Sequence, residues 1–336
     1  MITASPAARL LPPAADWREL WRASITDAGE LLRTVQLGHL AGRLPPGDAG
    51  FALRVPRGFA ARMRPGDPDD PLLLQVLPQL AELEQAPGYV ADPVGDLAAR
   101  EAQGLLHKYE GRALLIASGS CAVNCRYCFR RHFPYGEEMA AAGQWRKALD
   151  HLRQDASIAE LILSGGDPLS LATPKLEELS RGLAALPQVT RLRIHTRLPV
   201  VLPERIDAAF LAWFAALPLQ KVVVLHANHA NEFDAAVDDA CRRLREAGAT
   251  LLNQSVLLKN INDDADTLSE LSERLFAAGV LPYYLHQLDR VQGSAHFEVD
   301  DARARALVEA IRGRLPGYLV PKLVREMEGD ASKRPV

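Results

Sequence analysis

The run Cys121-Ala-Val-Asn-Cys125-Arg-Tyr-Cys128-Phe129-Arg130-Arg131 sets three thiols on one short loop in a C-x3-C-x2-C spacing. Cysteine thiolates are the usual ligands of a 4Fe-4S cluster, and three of them in place of four leave one iron open to a small molecule. Two plainer readings stand beside this one. A structural zinc could take the same sulfurs with His132 as a fourth ligand. A disulfide framework is disfavoured, because the chain has 4 Cys in 336 residues and the start Met1-Ile-Thr-Ala-Ser-Pro6 lacks the charged-then-apolar layout of a secretory signal. Cys241, in Asp238-Asp239-Ala240-Cys241-Arg242-Arg243, falls on an amphipathic helical pattern and reads as a packing residue.

Outward from that loop, 48% hydrophobic and 24% charged residues describe an ordinary globular chain, long enough for one sizeable α/β domain and an accessory segment. A net charge of -3 without a Lys/Arg run gives no reason to expect nucleic acid, and no apolar stretch is long enough to cross a bilayer. A reducing cytoplasm is expected, which also suits an oxygen-sensitive cluster.

From about Asp16 to Leu106 the chain reads as short helices (Trp17 to Trp21, Ala28 to Leu37, Phe59 to Met63) broken by Pro/Gly segments, with no catalytic spacing. From Arg112 onward, β-branched apolar runs alternate with helical patterns, the signature of repeated βα units. The strand candidates are Ala113 to Ala117, Leu161 to Ser164, Arg191 to His195, Val222 to His226, Thr250 to Gln254 and Leu281 to His286. Helical patterns cover Trp145 to Gln154, Leu176 to Ala185, Pro203 to Ala215, Phe233 to Ala247 and Ala265 to Ala278. Six units predict an α/β fold with an open, partial (β/α)6 barrel. It would span 107-315, after an N-terminal extension (1-106) and before a short C-terminal segment (316-336). Polar groups cluster where the strands end, as in Ser164-Gly165-Gly166-Asp167 and His286-Gln287-Leu288-Asp289, so one mouth is expected to hold the site.

With Tyr127 before the last cysteine, the loop resembles that of the radical S-adenosylmethionine (SAM) superfamily. The resemblance implies that the open iron holds SAM and that Gly165, Gly166 and Asp167 contact it. Two glycines also let backbone approach a ligand closely.

A narrower resemblance rests on Leu106-His-Lys-Tyr109, the loop 121-135, Leu163-Ser-Gly-Gly-Asp-Pro168, Arg191-Leu-Arg-Ile-His-Thr-Arg-Leu-Pro199, Asn228-His-Ala-Asn-Glu232, Asn253-Gln-Ser-Val-Leu-Leu258 and Pro282-Tyr-Tyr-Leu-His286. Together they are similar to lysine 2,3-aminomutases. That family implies pyridoxal 5'-phosphate (PLP) anchored by Lys333, although a lysine four positions from the chain end reads locally as a solvated tail residue. It further implies that Lys108, Tyr109 and Arg112 serve PLP, that Arg130 binds the substrate carboxylate, and that Asp289 and Glu326 receive the ε-ammonium. His226 and Gln254 would lie near SAM or PLP. Glu326 stands where the family has an aspartate, and Gly329-Asp-Ala-Ser replaces a glycine-rich run before the lysine. The branch most similar is the one that makes (R)-β-lysine from (S)-α-lysine for elongation factor P, alongside a separate lysyl ligase and an external one-electron reductant. The alternatives are a radical SAM aminomutase for glutamate or arginine, and a zinc or iron-sulfur binding module.

Overall fold

The computed structural model describes residues 16-139 and 145-336. The Met1-Pro6 stretch lies outside the described residues.

One ten-stranded sheet runs in sequence order. Its strands are β1 (Arg100–Ala102), β2 (Leu105–Tyr109), β3 (Arg112–Ser118), β4 (Glu160–Gly165), β5 (Arg191–Thr196), β6 (Gln220–Leu225), β7 (Ala249–Val256), β8 (Leu281–His286), β9 (Lys322–Arg325) and β10 (Arg334–Pro335). Strands β3 through β9 are parallel to their neighbours. Antiparallel pairs flank them, β1/β2/β3 on one side and β9/β10 on the other. Among the described residues the first and last strands do not pair, so the barrel stays open.

Between the parallel strands run α1 (Arg146–Gln154), α2 (Thr173–Leu183), α3 (Ala208–Ala216), α4 (Ala235–Glu246), α5 (Ala265–Ala277) and α6 (Asp301–Arg312). The sequence dictates where four of these begin. Asp207, Asp234, Asp264 and Asp300 each accept the amide of the third residue into the helix, a cap worth about 1 kcal/mol apiece. Every residue of β4 is buried, as expected for a strand covered on both faces. The helices bury one stripe each, for example Val237, Ala240, Cys241 and Leu244 on α4. Cys241 is thus the core residue its pattern indicated.

The architecture is a (β/α)6 partial barrel with two additions. Helix α6 and the seventh parallel strand β9 follow the six expected strands, and β9 pairs with β8 through Tyr284↔Lys322, Leu285↔Leu323 and His286↔Val324. Residues 316-336 therefore belong to the sheet rather than trailing from it. On the other side, the region expected to be helical up to Leu106 contains β1 and the start of β2, so the anticipated boundary at 106/107 falls inside a strand. Four-residue β9 and three-residue β1 are too short for a period-2 pattern to show. Their pairing partners, not their own composition, make them strands.

The rest of the N-terminal region packs its apolar side chains, including Trp17, Ile25, Leu31, Phe59 and Leu72, into the same core as the barrel strands and helices.

Candidate active site

A cavity of about 1180 Å³ opens at the C-terminal ends of the parallel strands and is lined by residues of β2 to β5 and β7 to β10, by His226 just past β6 and by the cysteine loop. Cys121, Cys125 and Cys128 all face it, as free thiols. The loop is held from behind. Arg126 reaches Glu82 (Nη2 to Oε2, 2.5 Å) and donates to the carbonyls of Phe51 (2.6 Å) and Asp48 (2.8 Å). Arg131 donates to the same Glu82 oxygen at 2.9 Å. Arg126 and Glu82 side chains are fully buried, so the N-terminal region clamps the cysteines through paired charges that have no access to water.

Burial raises the Cys121 thiol well above its usual range and Cys128 to about 11. A bound metal would have to deprotonate them. The sulfurs do not suit a single zinc. Around one zinc at 2.3 Å, sulfurs sit about 3.8 Å apart. Among the described residues, however, the one set of three potential ligands within 4.8 Å of each other is His107, His151 and Asp155, outside this cavity. His132, the anticipated fourth zinc ligand, is exposed and places Nε2 3.4 Å from the carbonyl of Gln292. Three thiols spread over the wall of one cavity fit a cluster in which each sulfur takes a different iron.

Gly165 at the end of β4 and Gly166 just after it are demanded by close backbone packing as well. Gly165 has φ 121° and a Cβ there would lie 2.4 Å from the carbonyl oxygen of Ser118. At Gly166 it would lie 2.8 Å from that of Ser120. The amides of Gly166 and Asp167 are already bonded to those two carbonyls, at 2.7 and 2.9 Å. Both glycines thus let β4 press against the loop that leads into Cys121. Asp167 likewise turns to the protein: its carboxylate accepts Thr196 Oγ1 (2.7 Å) and the amides of Arg197 (2.7 Å), Leu169 (2.9 Å) and Leu198 (3.1 Å). Burial still pushes it up to about 6. All three residues line the cavity, but the Gly166 and Asp167 amides are committed to the loop.

Across the cavity a chain of charges connects five side chains. Arg130 Nε donates to Asp96 Oδ2 (2.6 Å), Lys108 Nζ pairs with Asp96 Oδ1 (2.6 Å) and Glu326 Oε1 (2.9 Å), and Lys333 Nζ reaches Glu326 Oε2 (2.5 Å). Burial favours the neutral carboxyl of Glu326, yet the Lys333 and Lys108 ammonium groups outweigh it and hold Glu326 down to about 2. Asp96 is held below its ordinary value by Arg130 and Lys108 against the same desolvation. Among the described residues Asp289 has no such ion pair. Desolvation first, and then the nearby Glu326 charge, push it up to about 7. Three carboxylates therefore face the cavity here, and Asp289 is the one short of a cation.

Lys333 is not a free tail. The pairing Arg334↔Arg325 in β9/β10 returns the chain end to the sheet and sets the lysine on the cavity wall. Tyr109 and Arg112 also line it, the guanidinium lying 4.7 Å from the ring centroid. His226 and Gln254 are there too, His226 kept neutral by burial that lowers it to about 3. His195 is likewise lowered well below its usual value by desolvation, and its buried Nε2 has no hydrogen-bond partner. An unsatisfied buried nitrogen, an aromatic ring, a cation and a lysine amine on one wall fit a flat, phosphorylated aldehyde cofactor such as PLP.

Sequence reading missed Asp96, Glu82 and Gln75. All three sit in the Pro/Gly-broken N-terminal region, and no local spacing marks them.

An open parallel barrel with three cysteines on the loop after its first parallel strand defines a radical SAM protein, and the Radical SAM superfamily model matches residues 115–271. The chain is 49% identical over 329 residues to the L-lysine 2,3-aminomutase of Escherichia coli, covering 97% of this chain and 95% of that one. The Haemophilus influenzae L-lysine 2,3-aminomutase is 48% identical over 84% of each chain. That of Clostridium subterminale is 35% identical over 83% of this chain and 67% of its own. The chain belongs to the lysine 2,3-aminomutase family, a family of isomerases.

Proposed function

We propose that this protein converts (S)-α-lysine to (R)-β-lysine with a 4Fe-4S cluster, SAM and PLP, and that the product serves elongation factor P modification in the cytoplasm. The observation that carries the substrate assignment is the spread of charge in one cavity: Arg130 at the cysteine side, and Asp289 with Glu326 at the other. A free diamino acid offers a carboxylate to the first and an ammonium to the second. Glutamate would bring a second anion to the carboxylate pair and is disfavoured.

When bound, the cluster and SAM supply a hydrogen-abstracting radical, and PLP supplies a π-system through which nitrogen can move. The chain's own residues do the rest. Cys121, Cys125 and Cys128 would hold the cluster, Gly165, Gly166 and Asp167 would contact SAM, and the strand-end groups His226 and Gln254 would lie near SAM or PLP. Lys333 supplies the amine for PLP, with Tyr109 and Arg112 against its ring and phosphate. Arg130, anchored by Asp96, fixes the carboxylate, and a bidentate grip at that end sets which carbon faces the radical. Lys108, tied to Asp96 and Glu326, links the two substrate ends. An external one-electron reductant is required.

Anaerobic incubation with lysine, SAM, PLP and a strong reductant, followed by chiral separation of α- and β-lysine, tests the reading. (R)-β-lysine is expected, with arginine and glutamate poor competitors. Unchanged lysine in the presence of about four irons per chain would sink the substrate assignment. A colourless protein with one zinc would sink the enzyme.

A further inference from the structure

Beside Cys125 lies a group of polar side chains. Arg197, just after β5, is buried. Its Nη1 is 2.7 Å from Cys125 Sγ and 2.7 Å from Tyr127 Oη, while Nη2 donates to Gln75 Oε1 (2.7 Å) and to Glu232 Oε2 (2.9 Å). Each partner is fixed in turn. Glu232 takes the amide of Asn228 (2.8 Å) and Gln75 Nε2 (3.2 Å), and Asn228 Nδ2 donates to Tyr127 Oη (2.7 Å). The Arg197 guanidinium is also 5.5 Å from the Phe59 ring centroid. The guanidinium is therefore locked in one orientation, with Nη1 on a cysteine sulfur and Nη2 on Glu232, its counter-ion among the described residues.

We propose that Arg197 is a positioning residue that sets the reduction potential of the iron-sulfur cluster through its N–H contact with Cys125, and that Glu232 is the counter-charge that limits the effect. The proposal rests on the cluster reading of the cysteine loop. One-electron reduction by the external donor adds a negative charge to the cluster. A donated N–H and a positive charge at a ligand sulfur stabilise the reduced form more than the oxidised one, so they raise the potential. Glu232 subtracts part of that field. Because the pair is buried, neither contribution is screened by solvent.

The two charges predict opposite shifts, which a merely structural role does not. In anaerobic, cluster-loaded protein, R197K keeps a charge for Glu232 but has no planar fork to span all four partners. Its midpoint, read by electron paramagnetic resonance during a redox titration, should move negative. The reduced-to-oxidised ratio at fixed ambient potential should fall about tenfold, the size of one charge-assisted hydrogen bond, which is about 59 mV for one electron. E232Q should move the midpoint positive. The double variant R197M/E232Q buries no unpaired charge and should fall between the two. Iron content and SAM binding should match the parent in all three. Shifts of equal sign, or none, would overturn the proposal, and a loss of iron in all three would assign the network to holding the loop alone. A parent protein that assembles no cluster would instead sink the cluster reading itself.

Discussion

The two walls of the cavity are built from the same residue types and differ in how completely they exclude water. At the cysteine wall, the side chains of Arg126 and Glu82 are 0% exposed, and Arg131 is 2% exposed. At the amino-acid wall, Lys108, Glu326 and Lys333 retain 17-20%. The first set of pairs is closed, with every charge committed to protein. The second borders the cavity, where an entering ammonium or aldehyde can take over a partner. Lys333 is held by Glu326 alone among the described pairs, so leaving it for a cofactor frees one oxygen of a carboxylate still anchored by Lys108. One wall is fixed to keep a metal cluster in place, and the other can exchange partners with ligand.

The most severe test of that contrast is Lys333→Ala. It should abolish turnover and the PLP-imine absorbance while leaving iron content and thermal stability near the parent, since only a half-buried pair is lost. If iron falls as well, the walls are not independent. Next in size is Glu82→Ala, which leaves Arg126 and Arg131 buried without a counter-ion. A buried pair broken from one side costs about 3-5 kcal/mol, so thermal unfolding should come at clearly lower temperature and iron should be lost on purification. A parent-like melting temperature would show that the cysteine wall is not held by these charges.

A smaller effect concerns pH. Because Asp289 ionises at about 7 in the free protein, it is an anion above that value and neutral below it. An ammonium ligand is attracted more strongly when Asp289 is the anion, so the KM for lysine should rise as pH falls from 8 to 6, by less than about tenfold per unit because Glu326 stays charged throughout. Asp289→Asn should have a high KM that does not change over this range. A parent KM that is flat between pH 6 and 8 would remove Asp289 from the ammonium site. Smallest is His132→Ala, which should change neither iron content nor activity, because that side chain lies outside the cavity.

How much of this was legible beforehand differs between the same two walls. The cysteine loop announces itself, since C-x3-C-x2-C is a local pattern and its chemistry follows from the ligand count. The six strands of the βα units were legible to within two residues at either end, because alternation of β-branched runs with amphipathic helices is also local. The rule that polar groups gather at strand ends placed Asp289, His226 and Gln254 on the cavity. What holds Arg126, Arg130 and Arg197 in place was not legible. Asp96, Gln75 and Glu82 reach the site from a segment punctuated by proline and glycine, through pairs 34 to 157 positions apart in sequence. Nor was the close packing of Gly165 and Gly166 on Ser118 and Ser120 legible, a structural demand that stands beside the ligand contact expected of them.

The sequence by itself determined the chemistry available to this protein: three thiols with no fourth nearby, and repeated βα units that gather their ends at one mouth. Those follow from residue types at short spacings, where periodicity and ligand count apply. Only the tertiary structure decided that Lys333 belongs to the cavity, that Glu326 sits between two lysines, and that a buried arginine touches a cysteine sulfur. Each of those depends on strands or side chains that meet across the barrel, and a contact between distant segments is governed by the register of the whole sheet, which no local pattern encodes.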